Sequence, residues 1–123
     1  MPKKTTKQVG NTGEDLAAKY LQSKQYEIIE RNYRWARGEI DIVARMGEIL
    51  VFVEVKTARG DRFGSPETWV NPRKQLHIAQ AAQRYLQEKN IEEANCRFDV
   101  VAIQKQGGGW RIEHLENAFW IEG

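Results

Sequence analysis

The sequence predicts an α/β chain, and three observations predict it. Two stretches repeat apolar residues at helical spacing, five stretches are rich in β-branched and aromatic residues, and together they run helix, three strands, helix, two strands. A length of 123 residues accommodates one modest core and leaves little room for a second domain.

Residues 1–11 are polar and rich in Lys and Thr, which reads as a flexible basic arm preceding a single domain over 12–123. Thr12 and Asp15 have the form of a capping box, and Leu16, Ala17, Tyr20 and Leu21 follow at helical spacing, predicting a helix over 13–24. Tyr26, Ile28, Ile29, Tyr33 and Trp35 predict a strand ending near Trp35. Glu39 to Lys56 reads as a hairpin turning at Met46-Gly47, with Ile40, Ile42 and Ala44 on one side of its first strand. Residues 57–71 form a loop with several arginines. Asn71 and Pro72 suit the N-cap and first position of a second helix, whose expected stripe is Leu76, Ala79, Ala82 and Leu86, ending near Lys89. Phe98 to Ile103 is apolar on both faces, as a strand covered on both sides must be, and Trp110 to Leu115 returns as an edge strand.

Composition narrows the function classes. Hydrophobic residues make up 41% and charged residues 29%, as in a folded globular chain. The longest apolar stretch, Ile49 to Val53, is strand length, so no membrane partner is expected. No apolar run follows the early lysines and Cys96 is the only cysteine, which makes a reducing cytoplasm the expected setting. The net charge is +2, of which Lys3, Lys4 and Lys7 supply three units in an acid-free stretch, leaving −1 for the rest. Nucleic-acid binding would therefore rest on a local basic surface.

The chemistry concentrates on one strand. Its odd positions Ile49, Val51, Val53 and Val55 are uniformly apolar, while the other face runs Leu50, Phe52, Glu54, Lys56. A face that begins in a core and ends on a carboxylate and an ammonium predicts a cleft at the strand's end. With the turn at Met46-Gly47, Asp41 falls opposite Phe52 and Glu39 opposite Glu54, so Glu39, Asp41, Glu54 and Lys56 share a face. Clustered carboxylates repel unless a cation or a bound proton relieves them. Oxygen donors from Asp41 and Glu54, with the Val55 carbonyl and waters, suit Mg2+ or Mn2+; zinc would want His or Cys, and His77 and His114 are isolated. Lys56 would orient an attacking water or stabilise developing charge.

Asp41 followed by Glu54-Val55-Lys56 resembles the PD-(D/E)XK nuclease pattern, with Ile40 where that pattern has Pro. The longer string Arg37-Gly38-Glu39-Ile40-Asp41-Ile42-Val43-Ala44, then Val51-Phe52-Val53-Glu54-Val55-Lys56-Thr57, resembles the YraN family, itself similar to archaeal Holliday junction resolvases. The match continues through Phe63-Gly64-Ser65-Pro66, Val70 and Lys74 to Arg97-Phe98-Asp99-Val100-Val101, and so covers nearly the whole chain from Gly10. The resemblance implies a restriction-endonuclease-like mixed sheet flanked by helices, metal-dependent endonuclease cleavage of DNA, branched DNA included, and a homodimer as in the resolvases. It also marks Glu14, in Gly10-Asn11-Thr12-Gly13-Glu14, as a carboxylate approaching the metal.

Blander readings stand beside these. Glu54 and Lys56 could be an exposed cross-strand pair, Asp41 a solubilising charge, Glu39 a supporting residue, and Glu14 a first-turn acid favoured by the helix dipole. Arg59, Arg62, Arg73 and Lys74, interleaved with Phe63 and Trp69, read either as phosphate and base contacts or as a solvated loop, and Arg34 and Arg37 around Trp35 admit the same two readings. Tyr85, Trp110 and Trp120 are expected to cover core edges. The competing function is a nucleic-acid-binding or partner-binding module that keeps the scaffold without turnover; an RNA substrate is a third.

Overall fold

A computed structural model describes residues 12–59 and 69–119. Within them lie α1 (Thr12–Ser23), β1 (Glu27–Trp35), β2 (Gly38–Met46), β3 (Ile49–Arg59), α2 (Pro72–Glu88), β4 (Asn95–Gln106) and β5 (Gly109–Leu115). The order αβββαββ is the expected one. The basic arm, Arg62, the Phe63-Gly64-Ser65-Pro66 string and Trp120 fall outside the described residues. No helix among those residues is long and apolar enough to cross a membrane.

The strands form one mixed sheet in the order β1-β2-β3-β4-β5, consistent with a restriction-endonuclease-like fold. All neighbours are antiparallel except β3 and β4, which run parallel from Ile49–Asn95 to Arg59–Lys105. Parallel neighbours need a crossover, and α2 lies in that connection. Asn71 caps α2 through its side chain, which accepts from the Lys74 N–H at 2.9 Å, and Pro72 takes the first turn.

Each helix covers one face. Ala17, Ala18 and Leu21 of α1 pack on Ile42, Ala44, Val51, Val53, Val101 and Ile103. On the other face Ile78, Ala81, Ala82 and Tyr85 of α2 meet Ile40, Val43, Phe52, Val100 and Ala102. Strands β3 and β4 are apolar on both sides because both sides are buried.

Four expectations are corrected here. The β2–β3 turn is Gly47-Glu48 and not Met46-Gly47: Met46 pairs with Ile49, and Gly47 takes φ +60, a conformation glycine adopts without penalty. That moves the register by two residues, which preserves the side-chain parity. The stripe of α2 is Ile78, Ala81, Ala82 and Tyr85, rotated from the expected one, so that Leu76 stands 52% exposed while Tyr85 is deep in the core. Trp69 is likewise a core residue and offers no ring to a base, whereas Trp110 is exposed.

The fourth correction shapes the site. Ile40 faces α2 and Ile42 faces α1, so the alternation expected along β2 fails at Asp41. Across from Asp41, between the Arg31–Ile42 and Tyr33–Ile40 pairs, Asn32 has φ +57. A left-handed residue in a strand re-aims the side chains beyond it, and asparagine tolerates that conformation better than most residues. The two strands change face together at this point.

Beneath α1, Asp99 on β4 is fully buried and fully partnered. Arg97 Nε donates to Oδ1 and its Nη2 to Oδ2, both at 2.8 Å, His114 Nε2 lies 2.7 Å from Oδ2, and the Asn117 N–H donates at 3.0 Å. With Nε2 donating to the carboxylate, Nδ1 accepts from the Tyr20 hydroxyl at 3.3 Å. This network ties α1, β4, β5 and the turn after β5 together. Burial pushes the Asp99 carboxyl up, but the bonds from His114, Arg97 and Asn117 outweigh it and hold the group below the usual carboxylate range.

Two measurements follow from this packing. A Cβ on Gly38 would fall inside the contact radius of the His77 carbonyl oxygen on α2, whereas one on Gly108 meets nothing. Chemical denaturation should show Gly38→Ala losing about 1–3 kcal/mol and Gly108→Ala changing by less than about 0.5 kcal/mol. A carboxyl with a depressed folded pKa stabilises the fold above its unfolded pKa, and that stability is lost as pH falls through the folded value. Acid unfolding between roughly pH 4 and pH 2 should therefore be steeper for the wild type than for Asp99→Asn; parallel curves would refute the assignment.

Candidate active site

The β2–β3 ladder runs from Met46–Ile49 to Ile42–Val53. Just beyond it the Val55 N–H donates 2.7 Å to Oδ2 of Asp41, so a side-chain carboxylate stands where a ladder carbonyl would. The kink at Asp41 is what turns that side chain toward β3. On β3 the face that packs Leu50 and Phe52 against α2 continues to Glu54, which is only 8% exposed.

Asp41 and Glu54 open into a cavity of about 250 Å3 lined also by Arg37, Glu39, Lys74, His77 and Ile78. Lys74, in the first turn of α2, reaches Glu54 with its Nζ 2.6 Å from Oε1. Glu39 is half-exposed and pairs with Arg34 at 3.1 Å. Lys56 is half-buried, and its Nζ lies 3.5 Å from the Trp69 carbonyl oxygen. Glu14 is buried outside this lining: its Oε1 accepts from Arg31 Nε at 2.9 Å and Asn32 Nδ2 at 3.0 Å. Through Asn32 it is bound to the residue across from Asp41.

The electrostatics follow the burial. Desolvation, then the charge of Glu54, push the Asp41 carboxyl up to about 7 despite the Val55 bond, and Glu14 and Glu39 add to the shift. Glu54 is also raised, chiefly by burial, with Lys74 opposing. Burial pulls Lys74 down, but Glu54, Asp41 and Glu39 outweigh it and hold the ammonium above its ordinary range.

Of the residues singled out in the sequence, Asp41, Glu54, Glu39, Arg37 and Lys74 are brought together around one cavity. Lys74, expected among the phosphate-binding basics, pairs instead with the central carboxylate. Arg73 is exposed beside it on α2, Arg59 ends β3, and Arg62 lies outside the described residues. His77 was read as isolated and lines the cavity. Its only sequence signal is its place one turn beyond Lys74 on the same helix.

Among the described residues no group of three or more His, Cys, Asp or Glu side chains could hold a metal ion. Magnesium and manganese sites commonly use one or two carboxylates and complete their shell with water and substrate phosphate. A buried Glu54 and a half-buried Asp41, both with raised pKa values beside an open cavity, fit such an ion, with Asp41 and Glu54 as its ligands.

Crowded like charges make a testable cost. Asp41→Asn keeps an acceptor for the Val55 N–H and removes one of two facing negative charges. Without divalent ions near pH 8, thermal and chemical unfolding should find it more stable than wild type by about 1–2 kcal/mol. A variant that loses stability would show that Asp41 is structural.

Comparison with known proteins places the chain among relatives. The model of the uncharacterised protein family UPF0102 matches residues 13–103. A UPF0102 protein of Syntrophus aciditrophicus is 48% identical over 110 residues, covering 89% of this chain and 87% of that one. One from Geobacter sulfurreducens is 51% identical over 112 residues, covering 90% and 88%. A third, from Chlorobium chlorochromatii, is 42% identical over 127 aligned positions and covers 98% of both chains. The segment matched by the family model contains the whole carboxylate cluster, and the chain belongs to the UPF0102 family.

Proposed function

We propose that this protein is a metal-dependent endonuclease that hydrolyses phosphodiester bonds in DNA, branched DNA included, with Mg2+ or Mn2+ held by Asp41 and Glu54. The observation that carries the reading is the pair formed by half-buried Asp41 on β2 and buried Glu54 midway along β3, open to a cavity that cations also line. A site built only to bind phosphate gains nothing from buried acids that repel it. The resemblance of Asp41 and Glu54-Val55-Lys56 to the PD-(D/E)XK pattern supports the same reading.

Each residue has a task in this site. Asp41 is held by the Val55 amide so that one oxygen is fixed and the other remains for a ligand. Glu54 is fixed by its place on the central strand. The chemistry supplied when a magnesium or manganese ion is bound is polarisation of the scissile phosphate and activation of a water. Lys56, next along the same face of β3, orients that water and offsets the charge that develops on the phosphate. Arg37 at the rim, with Arg73 exposed on α2, supplies cations for the flanking phosphates. Glu39 supports the site through its pair with Arg34, and Glu14 through Asn32.

The test is cleavage of single-stranded, duplex, flap and four-way-junction DNA, with single-stranded RNA alongside, in magnesium or manganese. Wild type should cut, Asp41→Asn and Glu54→Gln should fall at least about 100-fold, and Lys56→Met should fall by about the same factor with substrate affinity kept. DNA binding that ignores metal and survives Asp41→Asn, with no cleavage of any substrate, would establish the binding-module reading instead.

A further inference from the structure

We infer that Lys74 is the resident counter-ion of the carboxylate pair, and that its ammonium competes with a divalent cation for Glu54. The inference rests on the metal-site reading above and adds to it a residue that sets metal affinity.

Three observations carry it. Lys74 Nζ stands 2.6 Å from Glu54 Oε1, on the side of the carboxylate that lines the cavity with Asp41 and Glu39. An ammonium on Oε1 neutralises the charge that a divalent ion would bind, and the two like charges repel across the same small space. The two partners also differ in freedom. Glu54 is 8% exposed on the central strand, while the Lys74 side chain is 52% exposed on a flexible four-carbon stem. Lys74 is the group that can leave.

The third observation is the lysine's position in its own helix. It lies in the first turn of α2, where the helix dipole disfavours a cation, and that turn contains no acid. The Asn71 cap on the Lys74 N–H fixes where the side chain leaves the helix. A residue that breaks the local charge rule needs a compensating partner, and Glu54 is that partner. Lys74 thus keeps the two carboxylates tolerable without metal. Once displaced, its ammonium remains beside Arg37 at the cavity rim, within reach of a phosphate oxygen.

Calorimetric titration of the full chain with MnCl2, without nucleic acid and near pH 8, tests this. Lys74→Met should bind manganese about tenfold more tightly than wild type, and Lys74→Arg, which keeps the charge, no more tightly than wild type. Thermal melts without metal should show Lys74→Met less stable, with saturating manganese closing the gap. Unchanged or weaker binding by a cooperatively melting Lys74→Met would overturn the inference. If wild type still binds and Asp41→Asn does not, the metal site stands and only the role of Lys74 falls. No binding by any form would remove the metal site and this inference with it.

Discussion

The hydrogen bond from the Val55 amide to the Asp41 carboxylate marks where the sheet stops being scaffold and becomes a site. Up to Ile42 and Val53 the two strands satisfy each other's backbone groups; just beyond, a side chain does so. That substitution requires β2 to turn its next residue toward β3, and the left-handed Asn32 across from Asp41, where β2 changes face, accompanies the turn. Asn32 is held from behind, because it donates to Glu14 on α1. Helix α1 thereby supports the carboxylate cluster without lining it.

Burial then determines what the cluster is suited to. On the central strand Glu54 has hydrophobic packing from Phe52 below and α2 above, so its charge is held in a setting that favours the neutral form. Asp41 shares that setting and feels Glu54 as well. A lone exposed pair of acids would be worth little either way. Two largely desolvated ones create a demand for positive charge, and the structure meets it with Lys74, which reaches Glu54 across the cavity that they share.

Much of this was legible in the sequence, and the failures have physical causes. The change of character along Leu50, Phe52, Glu54, Lys56 located the site because strand periodicity is rigid. The turn was misplaced by one residue, yet the parity of the paired stretch from Ile42 to Val53 survived, since moving a two-residue turn by one shifts the register by two. The failure of alternation at Asp41 was not legible: Ile40 and Ile42 look like one face until a left-handed Asn32 is known. The stripe of α2 was misread because Leu76 and Ile78 are both apolar and only packing decides between them. Lys74 looked like one more basic residue near a loop; its partner lies twenty positions earlier, and only the parallel crossover through α2 brings them together.

The strongest argument that the cavity is a functional site comes from the other buried carboxylate of the same sheet. Asp99 lies under α1 with both oxygens engaged by Arg97, His114 and the Asn117 amide, and its pKa is lowered. This fold therefore can bury an acid and satisfy it completely when the acid is there for stability. Asp41 and Glu54 are treated differently. They line one cavity with raised pKa values, and the half-exposed Lys74 ammonium is paired with Glu54. An arrangement that costs stability, in a chain able to avoid that cost one strand away, is what a site kept ready for an external cation and its anionic substrate requires.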